Sequence, residues 1–295
     1  MSDAQPPSID PVAARRWMRA APTRSPWLHE EVGRRMAGRL EWIRLQPRAW
    51  LDWEPVRGGL ESHELVAKRY PRADCWVAER DPKQASAAKL LLRKPWWHLH
   101  APAVRHESVP DGAVQMVWAN MALHMAPDPQ ALLAQWHRAL AVDGFLMFSC
   151  FGPDTLRELR TLYAQAGWPP PAHDFTDMHD WGDMLVHAGF AEPVMDMERV
   201  TLTWETPERL LAELRELGAN LSRSRFTAMR GRGFRRALEA GIMQSLRHED
   251  GRVALTFEIV YGHAMRPTPR VKVAGESAVS VADMQALLRA GRNKS

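Results

Sequence analysis

Apolar and polar positions divide the chain into three regimes. From Asp10 to Ile43 the apolar residues recur at helical spacing. The segment "DPVAARRWMRAA" opens with Asp10 as an N-cap and Pro11 in the first helical position. A second helix is predicted from about Glu30, with Val32, Met36, Leu40 and Ile43 on one face. From Ala49 to Cys150, short apolar runs alternate with helical stretches. "AWLDW", "CWVAERD" (Cys75–Asp81), "WWHLH" (Trp96–His100), "AVQMVWAN" (Ala113–Asn120) and "GFLMFSC" (Gly144–Cys150) read as strands. Helices are predicted at Glu61–Arg69, Pro82–Leu92 and in "PDPQALLAQWHRAL", whose apolar face is Leu132, Leu133, Trp136 and Leu140. In the last third, helices at Pro207–Leu217 and Phe234–Leu246 fall between a strand at Val200–Trp204 and another at Val253–Met265.

The alternation predicts an α/β fold with a doubly wound, mostly parallel sheet. One domain is expected over residues 10–265, with a helical insertion at about 206–250 that forms a lid. Residues 1–9 are expected to be disordered. Residues 266–295 are expected to be a flexible tail with at most a short helix near Val281–Leu288. In such sheets ligands lie beyond the carboxyl ends of the strands. Those ends are Asp52–Gly59, Glu79–Asp81, His100–Ala103, Asn120–His124 and Cys150–Asp154.

Composition narrows the class further. The chain has 295 residues, 45% hydrophobic and 25% charged, which suits a globular protein. No apolar run approaches the roughly 18 residues of a membrane span, and the start lacks the apolar region of a secretory signal. The two cysteines, Cys75 and Cys150, imply no disulfide framework, and a cytoplasmic location is expected. The net charge is +4 and arginine outnumbers lysine, which favours an acidic partner but also follows from GC-rich codon usage. The basic run Arg223–Arg236 reads as a solvated helix surface or a face for an acidic carrier; DNA is not expected and RNA is disfavoured.

Candidate chemistry gathers at the strand ends. Glu79 closes the second strand, where an acidic side chain accepts hydrogen bonds from both ribose hydroxyls. Asp52 closes the first strand, and Gly58 and Gly59 permit a close backbone approach. Between them stand Trp53, Glu54, Pro55, Val56 and Arg57, which occupy the space that spaced glycines would leave. Asn120 ends the fourth strand and is followed by apolar residues suited to an adenine or a thioether. His98, His100 and His106 lack a completing ligand, so no metal site is expected. Cys150 reads as a buried structural thiol.

The segments "MVWANMALHMAPDPQALLAQWHRALAVDGFLMFSCFGPDTLRELR", "FTDMHDWGDMLVHAGFAEPVMDMERVTLTW", "LLAELRELGANLSRSR" and "ALTFEIVYGHAM" carry a resemblance. From about Pro11 to Met265 the chain resembles the biotin-synthesis malonyl-acyl-carrier-protein O-methyltransferases, a branch of the class I S-adenosylmethionine (SAM)-dependent methyltransferases. A mitochondrial respiratory complex I assembly factor shares several of these segments. The resemblance implies a seven-stranded Rossmann-like sheet with N-terminal helices. It also implies SAM over Asp52, Gly58, Gly59, Glu79 and Asn120. The malonyl carboxylate would attack the methyl group without a general base, paired with an arginine from among Arg215, Arg223 and Arg225. An acidic carrier protein would meet the basic lid.

The departures also gather at the cofactor. The D-x-G-x-G-x-G motif is reduced to Asp52 and Gly58 or Gly59. A shielding tyrosine near Arg24 is missing, with Trp27 as its substitute. Ala103 and Gln115 stand where acidic residues are expected. A non-catalytic relative that keeps the fold and binds a carrier or partner protein is the alternative. The two are distinguished by whether a nucleotide-sized cleft remains beside Glu79, or Trp53 or Arg57 fills it.

Overall fold

The computed structural model describes residues 9–93 and 102–269. The strand expected at Trp96–His100, residues 1–8 and the helix expected near Val281–Leu288 lie outside the described residues; Ile9, expected within a disordered start, is buried and bridges to Ser222. Two helices, α1 (Pro11–Ala20) and α2 (Trp27–Arg39), precede the first strand, β1 (Ala49–Trp53). Then come α3 (Pro55–Gly58), α4 (Leu60–Arg69), β2 (Asp74–Ala78), α5 (Pro82–Leu91), β3 (Val104–Arg105) and β4 (Val114–Ala119). The chain continues through α6 (Pro129–Ala139), β5 (Leu140–Phe151), α7 (Arg157–Gln165), α8 (Met178–His187) and β6 (Ala191–Trp204). Helices α9 (Pro207–Leu217) and α10 (Arg232–Ser245) separate β6 from β7 (Val253–Met265).

Several helix starts share one local device. Asp10, Asp81, Asp128 and Thr206 each accept amide hydrogen bonds from the first turn that follows, and each is followed by proline. The side chain satisfies amides that have no partner within the helix, and proline tolerates a position whose N–H would be unused. Helix α2 starts at Trp27, three residues before the position predicted from periodicity.

The seven strands form one sheet in the order β3-β2-β1-β4-β5-β7-β6. Strands β1 to β5 pair in parallel, and β7 enters antiparallel between β5 and β6. Alternation along β1 sends Trp50 into one apolar layer with Met36, Leu40 and Val66. It sends Leu51 and Trp53 into the other, with Leu133 and Trp136 of α6. Burying both faces forces the near-continuous apolar character of β4 and β5. Strand β6 is longer than the predicted Val200–Trp204. Its edge position leaves Glu192 and Asp196 exposed, Pro193 falls at a shift in the pairing register, and half-buried Glu198 is held by Arg35 and the Tyr261 hydroxyl.

The strand order reverses at β1, which lies between β2 and β4. The carboxyl ends of β1, β2 and β4 therefore diverge around a crevice. Helix α1 crosses near it. Ile9, Ala13, Ala14 and Leu221 form a small apolar cluster against Trp17 and Met125, and the Asp10 amide donates to the Leu221 carbonyl at 2.8 Å.

Candidate active site

A cleft opens where the strand ends diverge. Its walls are α1 (Trp17, Met18), His29 of α2, the β1–α3 junction (Glu54, Arg57), the end of β2 (Glu79) and the turn after β4 (Met121, Met125). Leu217, the last residue of α9, closes it from the insertion.

The loop after β1 follows a left-handed course without the usual glycine. Glu54 has φ 55° and is followed by the single-turn helix α3. Its carboxylate is held in a bidentate pair with Arg80, at 2.5 and 3.0 Å. Planar guanidinium–carboxylate pairing offsets part of the cost of a non-glycine residue in this region.

Asp52 faces away from the cleft. Its Oδ2 lies 2.7 Å from His63 Nδ1 of α4, and both side chains are almost fully buried. Burial pushes the Asp52 carboxyl above the ordinary range, opposed by the hydrogen bond from His63. Asn120 is 2% exposed and acts as a tie. Its amide donates to the His29 carbonyl at 2.7 Å and to the Gly58 carbonyl, and its Oδ1 accepts the Ser149 hydroxyl at 2.6 Å.

Gly58 and Gly59 are required by packing at the start of α4. A Cβ on Gly58 would meet the Asn120 carbonyl oxygen at 3.0 Å. Gly59 has φ 137°, and a Cβ there would meet Glu30 Oε2 and Ser62 Oγ at 2.8 Å. The Glu30 carboxylate accepts the Leu60 and Glu61 amides at 2.9 and 3.0 Å and so caps α4 from another helix.

Of the acidic groups that line the cleft, Glu54 is paired with Arg80 and Asp81 caps α5, which leaves Glu79 without an ion pair among the described residues. One oxygen accepts the Val56 amide at 3.0 Å. Burial, reinforced by the Glu54 carboxylate, pushes its pKa up to about 8. Two further buried polar atoms on residues lining the cleft, His29 Nε2 and Gln84 Oε1, have no hydrogen-bond partner. Burial holds His29 neutral, with its pKa down to about 3, helped by the charge of Arg57.

Arg57 sets the size of the cleft. Its guanidinium donates to the Arg24 carbonyl at 2.7 Å and the Glu216 carbonyl at 2.5 Å, and it lies 5.7 Å from the Trp17 ring centre. The free volume beside it is about 60 Å³. Sites that enclose a small-molecule ligand commonly have about 300 Å³ or more. Trp53 points into the opposite layer, where its ring packs edge-on against Trp136, so Arg57 and not Trp53 narrows the cleft. The acceptor set suits a nucleoside: Glu79 would accept from ribose hydroxyls, and the bare buried Gln84 Oε1 and His29 Nε2 from its other N–H or O–H groups. A whole nucleoside requires the Arg57 side chain to swing away.

A second, apolar cavity of about 110 Å³ shares Met125 and Leu217 with the cleft. It is lined chiefly by Phe151, Leu159, Phe175, Leu214 and Phe257, with His124, Thr155, His173 and Asn220 as polar members. Burial lowers the pKa of both histidines, that of His173 to about 4. The cavity therefore carries no histidine charge at neutral pH.

The remaining candidates lie elsewhere. Trp27 is 51% exposed and donates to Glu213 at 3.2 Å, outside the cleft; Trp17, not singled out from the sequence, is the aromatic that lines it. Arg225 is paired with Asp10 at 2.7 Å, and Arg215 and Arg223 are exposed; none of the three lines either cavity. Arg57 stood out in sequence as a possible filler of the cleft, but its partners, like the role of Trp17, depend on α1 and α9 meeting over β1. Burial pushes the Cys150 thiol well above its ordinary value, which keeps it inert. Among the described residues no cluster of His, Cys, Asp or Glu could hold a metal, and no helix is long and apolar enough to cross a membrane.

Comparison with known proteins places this arrangement. A family described as a methyltransferase domain matches residues 57–148. A malonyl-[acyl-carrier protein] O-methyltransferase from Gallionella capsiferriformans is 38% identical over 264 residues, 85% of this chain and 88% of the relative. The protein of the same name from Laribacter hongkongensis is 41% identical, with the same coverage of both chains. The chain belongs to the malonyl-[acyl-carrier protein] O-methyltransferase family. Among solved structures, the YcgJ protein of Bacillus subtilis superposes with a TM-score of 0.54 at 11% identity, covering 80% of this chain and all of that one. A putative methyltransferase from Bacillus halodurans gives 0.50 at 15% identity, with 79% and 99% covered. These two likenesses establish the class I methyltransferase fold of this family member.

Proposed function

We propose that this protein is a SAM-dependent O-methyltransferase that esterifies the free carboxylate of a malonyl thioester carried on acyl carrier protein, a reaction of biotin synthesis. The observation that carries this reading is the likeness, at 38% and 41% identity over 85% of this chain, to two relatives of that name.

SAM, when bound, supplies an electrophilic methyl group on a sulfonium; the carboxylate oxygen–carbon bond forms as the carbon–sulfur bond breaks, and no proton moves. The chain's own task is then binding, orientation and exclusion of water. Glu79 would accept the ribose hydroxyls at the end of β2. The apolar cavity under Phe151 and Phe175 would receive the acyl thioester and strip water from its carboxylate. Neutral His124 and His173 add no charge that would trap the carboxylate away from the methyl group.

Exposed Arg215 and Arg223 on the insertion suit an acidic carrier surface, which steers association more than it adds affinity. The test is calorimetric titration with SAM and S-adenosylhomocysteine, followed by mass detection of the methyl ester on malonyl-acyl carrier protein. Micromolar binding and ester formation support the reading; no binding at high protein concentration sinks it.

A second reading rests on Arg57. With its side chain hydrogen-bonded to two carbonyls across the cleft, a member that binds a carrier without methylating it is the alternative. Failure of both nucleosides to bind, with the carrier still bound, would favour it.

A further inference from the structure

One cation of the cleft has no carboxylate paired with it directly. Glu54 and Arg80 neutralise one another in a bidentate pair. Asp81 is spent on the first turn of α5, where it accepts the Lys83 and Gln84 amides. Glu216 gives its carboxylate to the exposed Arg24 and only its carbonyl to Arg57. Glu79, with its pKa at about 8, retains its proton over most of the neutral range. The cation without a directly paired carboxylate is Arg57. No carboxylate among the described residues pairs with it directly; Glu216, Glu54 and Glu79 act on it only at longer range.

A guanidinium has five N–H donors, and two of those on Arg57 are accounted for by backbone carbonyls. Neutral carbonyls are weaker partners for a cation than a carboxylate is. Burying a cation without a counter-ion is costly, and that cost lowers the Arg57 pKa to about 10. Beside it, His29 Nδ1 is 2.8 Å from the Arg57 carbonyl, which can only accept. The proton of the neutral ring therefore sits on Nδ1, and the buried, partnerless Nε2 is a bare acceptor. An unmatched cation and an unmatched acceptor thus line one cleft.

We propose that Arg57 is a carboxylate-binding residue of this site, exchanging the Arg24 and Glu216 carbonyls for the carboxylate of a bound ligand. The inference rests on the methyltransferase reading. It gives the substituted loop a purpose, because the residue that narrows the cleft becomes the one that grips what enters it. The carboxylate has two possible sources. One is the amino-acid end of the cofactor, whose ammonium would also meet His29 Nε2. The other is the free carboxylate of the acceptor, reached through the boundary that Met125 and Leu217 share with the apolar cavity.

The experiment compares wild-type protein with Arg57→Gln and the charge-retaining Arg57→Lys by calorimetry, after thermal melts confirm folding. The probes are S-adenosylhomocysteine, 5′-methylthioadenosine (the nucleoside without the carboxylate), malonyl-pantetheine and acetyl-pantetheine. If the cofactor's carboxylate is gripped, Arg57→Gln weakens S-adenosylhomocysteine by about tenfold or more and leaves methylthioadenosine within about twofold. If the acceptor's is gripped, the same loss falls on malonyl-pantetheine and spares acetyl-pantetheine and both nucleosides. In either case Arg57→Lys recovers part of the loss. Unchanged or tighter binding of both carboxylate probes to Arg57→Gln makes Arg57 a plug and overturns the clamp alone. Wild-type protein that binds none of the four overturns the methyltransferase reading and the clamp with it.

Discussion

Asp52 at the end of β1 gives its carboxylate to His63 of α4, with Oδ2 and Nδ1 2.7 Å apart and both side chains buried. The acidic residue that the sequence places in the cofactor loop is thereby committed to holding α4 against the sheet. Asp52→Ala should cost about 1–3 kcal/mol by leaving a buried imidazole nitrogen without its partner. Urea unfolding measures that loss. Nucleoside affinity, read on the folded variant, should change less than about threefold, because Asp52 does not line the cleft. A large affinity loss at unchanged stability would contradict this assignment.

Glu79 should couple pH to both stability and binding. Its folded pKa, about 8, is raised from an ordinary 4.5, chiefly by burial. Stability from holding the neutral form is complete below about 4.5 and is lost as pH rises through about 8. The melting temperature of wild-type protein should therefore fall relative to Glu79→Gln between those limits. Ribose hydroxyls donate to the ionised form, so wild-type affinity for S-adenosylhomocysteine should rise toward pH 8 while the variant's stays flat. Parallel pH profiles for the two proteins would refute both points.

Gly59 is constrained twice, by its φ of 137° and by Glu30 Oε2 and Ser62 Oγ at 2.8 Å from a Cβ. Gly59→Ala should destabilise the fold by about 1–3 kcal/mol. In Glu30→Ala, which removes the α4 cap and costs about 0.5–2 kcal/mol by itself, the alanine should cost less. A double-mutant cycle by denaturant midpoint reads that coupling, and strict additivity would argue against it.

The apolar cavity makes a separate demand. Ala219 sits exposed on its rim, so Ala219→Phe narrows the cavity without disturbing the core. The expected result is a KM for malonyl thioester raised about tenfold with the S-adenosylhomocysteine Kd unchanged. Equal effects on both would place the acceptor elsewhere.

Arg215 and Arg223 are exposed and away from both cavities. Arg215→Ala with Arg223→Ala should raise KM for malonyl-acyl carrier protein by about threefold or more at low salt. It should leave malonyl-pantetheine untouched, and the difference should shrink as salt screens the contact. Equal losses on both substrates would return these arginines to the acyl pocket.

The α/β alternation, the parallel core of the sheet and the proline-led helix starts were legible in the sequence because they rest on contacts within a few residues or on a simple period. Asp10–Pro11 and Asp128–Pro129 announce helices wherever the chain lies in space. The edge strand β6 was legible only at its end. Its first half carries Pro193 and several charges, which break the apolar alternation that marks a strand in sequence. Glu79 could be found because its position follows from the strand it ends, and the distal segments carried the family.

The tertiary structure chose Arg57 over Trp53 as the side chain that narrows the cleft, and it alone decided the roles of Trp17 and Asp52. Arg57 meets one carbonyl 33 residues away and another 159 residues away. Trp17 reaches the cleft because α1 is tied to the segment after α9. Asp52 turns to His63 because the pleat of β1 and the approach of α4 bring those two side chains together. Periodicity fixes which face a residue presents; which remote backbone or side chain that face then meets depends on how the layers close over one another.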